Sequence, residues 1–133
     1  MSKGSHKKPA DQRELDAKIE FMEGLVRRDP EYVDALQLLG DHYTARGKFT
    51  EGLHVDEKLA ALEPENPVVF YNLACSCSLT EQFDRAIASL EKALHLGYRD
   101  FAWLAKDPDM KKLRAHPGYQ TIHARIKRLK NGG

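Results

Sequence analysis

Apolar positions along the chain recur at helical spacing, and no stretch shows the strict alternation of a half-buried strand. Tyr32, Ala35, Leu36, Leu39 and Tyr43 form one stripe. Asp29-Pro30 predicts an N-cap with proline at the first helical position, and Gly47 suits a left-handed stop. Phe49, Leu53, Leu59 and Leu62 mark a second helix that ends before Glu63-Pro64. Asn66-Pro67 predicts another cap, Thr80 a cap for the helix after it, and Gly97 that helix's end. A leading helix is expected over residues 11–28. In the tail, Asp100 caps FAWLAK, Asp107-Pro108 starts PDMKKLRA, and His116-Pro117 breaks the chain before GYQTIHARIKRLK. That last segment carries Tyr119, Ile122, Ile126 and Leu129 on one stripe. The pattern predicts an all-α fold of antiparallel helix pairs.

The pairs repeat. Residues 33–66 and 67–100 align at an offset of 34, matching Leu39 with Leu73, Phe49 with Phe83, Glu57-Lys58 with Glu91-Lys92 and Leu62 with Leu96. Ile19, Leu25 and Pro30 precede Leu53, Leu59 and Pro64 by the same interval, so the leading helix matches the second half of a unit. The large residue at Leu36 or Phe70, the pairs Leu39-Gly40 and Leu73-Ala74, the small residue at Gly52 or Ala86 and the closing Pro30 or Pro64 together resemble the tetratricopeptide repeat (TPR) family. The ending D-P-D-x-x-x-L-R-x-x-P is similar to the degenerate tails of bacterial TPR proteins. The resemblance implies a right-handed solenoid of two full repeats with a leading helix and capping helices over residues 101–130. A cap would cover apolar surface at the solenoid end, with Phe101, Trp103, Leu104, Met110 and Leu113 as its core.

Two departures stand out. Asp56 occupies a place where the second repeat has Leu90; a small helix rotation that packs Val55 and Leu59 instead is the expected accommodation, since buried charges are rare unless paired. Tyr98 replaces the closing proline.

With 133 residues, 41% apolar and 31% charged, the chain is long enough for one domain, expected over residues 11–130. Residues 1–10 read as a disordered or vector-derived tail. The net charge of +1 gives no general attraction to nucleic acid or to an anionic membrane. No apolar run is long enough to span a bilayer, and the basic N-terminus lacks the apolar stretch of a secretory signal. Two cysteines without an export signal point to a reducing, cytoplasmic setting.

Cys75 and Cys77 lie one residue apart, which on a helix turns their side chains about 200° from each other. They cannot share a metal or close an easy disulfide. Cys77 takes the place of Tyr43 and is expected in the core; Cys75 is expected on the groove side. The histidines show no ligand spacing, and no phosphate loop, nucleophile elbow or zinc-protease signature is present. Arg125, Lys127, Arg128 and Lys130 complement the dipole of a final helix. No metal, cofactor or catalytic residue is expected.

The resemblance implies a non-catalytic adapter or scaffold that binds a protein or peptide partner in its concave groove. The family's groove places fall here on Asp34, Gln37, Asp41, Thr44, Val68, Tyr71, Asn72, Cys75 and Lys106, with Tyr71 as the aromatic anchor. The family's carboxylate-clamp subtype is matched only by Asn72 and loosely by Lys106, so tight binding of an acidic C-terminal peptide is not expected. No specific nucleic-acid or membrane partner is implied, and a monomer or weak homo-oligomer is expected. The alternative is a self-associating structural subunit of a larger complex.

Overall fold

The structure, a computed structural model, describes residues 9–132. The expectation for residues 1–8 lies outside the described residues. Every regular element among those described is helical. Helix contacts divide the chain into two compact units, residues 9–64 and 65–132 of the described part, and each is a TPR-like helical repeat.

The N-terminal unit holds α1 (Pro9–Arg28), α2 (Val33–Arg46) and α3 (Phe49–Leu62). α1 starts two residues earlier than expected. α2 packs on both of its neighbours, burying Leu15, Ile19, Leu36, Leu39, Leu53 and Leu59. Full burial of a leucine or isoleucine contributes about 1.5–3 kcal/mol, which outweighs the weak intrinsic helicity of segments this short. Two polar links tie α1 to α2: the Tyr43 hydroxyl donates to the Glu23 carboxylate, and Arg46 donates to Asp16 at 2.8 Å. Burial first, then the Glu23 hydrogen bond, pushes the Tyr43 hydroxyl well above its usual range.

The C-terminal unit holds α4 (Pro67–Leu79), α5 (Phe83–His95), α6 (Phe101–Leu104), α7 (Lys111–Ala115) and α8 (Gln120–Gly132), with single 3-10 turns at Pro108–Met110 and Pro117–Tyr119. The tail folds back on the α4–α5 pair. Leu104, Met110, Leu113 and Ile122 are fully buried there, while Phe101 and Trp103 are half-buried. Arg125 of the basic last helix pairs with Glu91 of α5 at 2.8 Å.

Three local expectations are corrected. Asp29-Pro30 does not open α2: the Tyr32 amide bonds the Asp29 carbonyl at 3.1 Å in a turn, and Tyr32 is the N-cap. Thirty-four residues on, Asn66 holds the same place and accepts hydrogen bonds from the Val68 and Val69 amides. Thr80 does not cap the helix after it. It closes α4, its hydroxyl bonding back to the Ser76 carbonyl at 2.9 Å, and Gln82 is the N-cap of α5. Asp56 is not rotated out: Val55 and Asp56 are both buried. The carboxylate fits because Gly40 opposes it, and a Cβ on Gly40 would stand 3.3 Å from Asp56 Oδ1.

Candidate functional site

The nine expected groove residues divide between the units. On α2, Asp34, Gln37 and Asp41 share one side of the helix with Leu38, at the i, i+3, i+4, i+7 spacing of a docking face. Asp34, Leu38 and Asp41 are exposed and Gln37 is half-buried. Leu38 is not among the nine, although it stands 34 residues before Asn72 and the offset alone identifies it. Thr44 lies beneath this face, buried, its hydroxyl donating to the Gly40 carbonyl at 3.1 Å.

On α4 the matched places look different. Tyr71 and Cys75 do lie one turn apart, but the tail covers them, leaving 4% and 8% of each exposed. In place of an open aromatic anchor there is a buried polar cluster. The Tyr71 hydroxyl donates to Asp107 Oδ2 at 2.6 Å, and the Cys75 thiol approaches the same oxygen at 3.7 Å. The other carboxylate oxygen accepts from the Asp109 amide at 2.9 Å, and Arg114 donates to the Asp107 carbonyl at 2.7 Å. Tyr98, at the closing-proline place, stacks on Tyr71 with ring centroids 4.3 Å apart. Burial first, then Cys75 and the Asp107 carboxylate, drives the Tyr71 hydroxyl far above its usual range. Burial likewise pushes Tyr98 up to about 12, with the Tyr71 hydroxyl partly offsetting it.

In the sequence Asp107 shows only as a helix cap, and nothing local marks it as the acceptor for Tyr71. The aspartate does both jobs, and only a contact 36 residues long reveals the second. Of the remaining groove places, Val68 is exposed at 52%, Asn72 is half-buried and Lys106 is exposed. Cys77 is fully buried at the Tyr43 place, and the two cysteines are unbridged. Among the described residues no group of three or more histidine, cysteine, aspartate or glutamate side chains converges as metal ligands would. No helix among them is long and apolar enough to cross a membrane.

A second surface lies on the N-terminal unit. Glu14, Ala17, Lys18, Phe21 and Met22 of α1 and His42 of α2 line an apolar depression of about 500 Å³. Phe21 is 64% exposed there. Burial, helped by the Lys18 ammonium, holds the His42 imidazole below its usual range.

No family model matches the chain. It is similar to a chloroplastic protein of Arabidopsis thaliana, with 36% identity over 86 residues, covering 62% of this chain and 26% of that protein. It is also similar to the peroxisomal targeting signal receptors of Komagataella phaffii and Komagataella pastoris, each 33% identical over 90 residues, covering 66% of this chain and 16% of the receptor. The matched segment thus spans about a quarter or less of each of these curated relatives.

Proposed function

We propose that this chain is a non-catalytic docking module, an adapter or scaffold that holds a peptide segment of a partner protein on the α2 face of its N-terminal unit. One observation carries this reading: Asp34, Gln37, Leu38 and Asp41 form a continuous side of α2, and three of the four are exposed. The face offers two carboxylates around an apolar side chain, so it favours a cationic segment with an apolar anchor. Similarity to receptors for a peroxisomal targeting signal supports a protein-interaction role without naming the partner.

Val68, Asn72 and Lys106 remain candidates for contacts on the C-terminal unit, whereas Tyr71 and Cys75 are available only when the tail lifts. The test is fluorescence anisotropy against a peptide array that varies charge and anchor independently. Binding by lysine- or arginine-containing peptides, weakened by Asp34→Lys with Asp41→Lys, is expected. Binding that ignores this double substitution sinks the assignment to α2. Micromolar binding of an acidic C-terminal peptide, abolished by Asn72→Ala, would point instead to a carboxylate clamp.

A further inference from the structure

The repeat register marks a face of α1 that no helix covers among the described residues. Ile19 and Leu25 match Leu53 and Leu59 of α3 at the 34-residue offset, so α1 corresponds to the second helix of a pair, and no first helix of that pair packs on it among the described residues. In α3 the column that meets the first helix is Gly52, Asp56 and Leu59; in α5 it is Ala86, Leu90 and Ala93. All six are buried, and α3 and α5 pack on α2 and α4 respectively. The same column in α1 is Lys18, Met22 and Leu25. Lys18 is exposed and the other two are half-buried. The apolar depression beside Phe21 lies along this column.

We propose that this face of α1 docks an amphipathic helix of a partner protein, seated on α1 as α2 is seated on α3. The molecule itself supplies the precedent for the occupant, since both of its other second helices bury this column beneath a helix. Charge refines the choice. Where α3 and α5 have Gly52 and Ala86, α1 has Lys18, which replaces a close small-residue contact with an ammonium group. Opposite Gly52 stands Thr44, whose Oγ1 would lie 3.2 Å from a Cβ at that glycine. A docked helix therefore presents its Thr44-equivalent side chain to Lys18, and a carboxylate there completes the pair. Phe21 and Met22 receive the apolar stripe, in the manner of a helix seated in a groove.

The probe is a labelled, stapled helix with the sequence of residues 32–47, made with glutamate, threonine or lysine at the position of Thr44. Fluorescence anisotropy on the full chain should rank them glutamate, threonine, lysine. Lys18→Glu should reverse the order, by about threefold at each end as expected of an exposed ion pair. Phe21→Ala should weaken all three about tenfold through lost apolar contact. Both replaced side chains are exposed, and circular dichroism verifies that the variants fold.

Absence of binding by every probe, or a ranking that Lys18→Glu leaves unchanged, overturns the proposal. So does concentration-dependent sedimentation of the chain alone that Phe21→Asp abolishes, which assigns the face to a second copy. The site is separate from the α2 docking face, so Asp34→Lys with Asp41→Lys should leave this binding intact, and either reading can fail without the other.

Discussion

At matched places 34 residues apart, the two repeats begin alike and then diverge in exposure. Asp41 is exposed where Cys75 is buried; Gln37 is half-buried where Tyr71 is covered; Asp34 and Val68 are both exposed. The helices share geometry and register, so the helix alone does not decide the difference. What decides it is the tail of the C-terminal unit, whose Asp107 carboxylate and Tyr98 ring seat on α4. A repeat place therefore indicates which way a side chain points but not whether solvent reaches it.

The interiors differ in the same manner. Asp56 and Leu90 hold one register position, and Gly40 and Ala74 another. The first repeat accommodates a buried carboxylate because its opposing residue is glycine; the second fills the equivalent space with leucine.

The sharpest break of this comparison is Leu90→Asp, which imports the first repeat's residue without its glycine. Burying that charge should cost about 4 kcal/mol and largely unfold the C-terminal unit, read as lost helical circular dichroism. Next comes Asp107→Ala. It strands the Tyr71 hydroxyl and removes the partner of the Asp109 amide, at a cost of about 3 kcal/mol in urea unfolding followed through Trp103. Asp41→Ala, on the exposed face, should move the same midpoint negligibly.

Smaller effects of opposite sign separate the Thr44 and Ser78 places. Ser78 is buried and its hydroxyl has no hydrogen-bond partner among the described residues, so Ser78→Ala should stabilise by about 1 kcal/mol, whereas Thr44→Ala should destabilise by about that amount. At the turn following α2, Gly47 lies at φ 85°, and Gly47→Ala should cost about 1 kcal/mol through backbone strain alone, since no atom crowds the added carbon.

Alkaline pH gives the gentlest probe. The unfolded chain releases tyrosine protons near pH 10, while the folded chain retains those of Tyr71, Tyr98 and Tyr43 to higher pH. Folding stability should thus be full below pH 10 and fall as pH rises from there through about 12, the value at which Tyr98 titrates. Urea midpoints across that range should decline less steeply for Tyr71→Phe with Tyr98→Phe.

The all-helical pattern and the Asn66, Asp100 and Asp107 caps were legible in local sequence, because each depends on side chains within a turn or two. Asp29-Pro30 points locally to a helix start, whereas the repeat points to the true one through the alignment of Tyr32 with Asn66. Thr80 belongs to the end of α4 on the same register: with Glu81 it matches Arg46-Gly47, and Glu81 adopts the left-handed backbone of that glycine at φ 60°. The covering of Tyr71 and Cys75 was not legible, because the tail does not repeat and its contacts with α4 are tertiary. The open face of α1 was implicit in the half-repeat that precedes residue 33, but its exposure depends on what packs against it.

The contact between Cys75 and Asp107 makes two neighbouring thiols into clocks with different triggers. Cys75 is shielded by the tail, so a thiol reagent reaches it whenever that segment lifts. Cys77, fully buried at the Tyr43 place, reacts only when the α4 core itself opens. The two labelling rates, resolved by mass spectrometry on one peptide, divide partial opening from global unfolding in a single experiment.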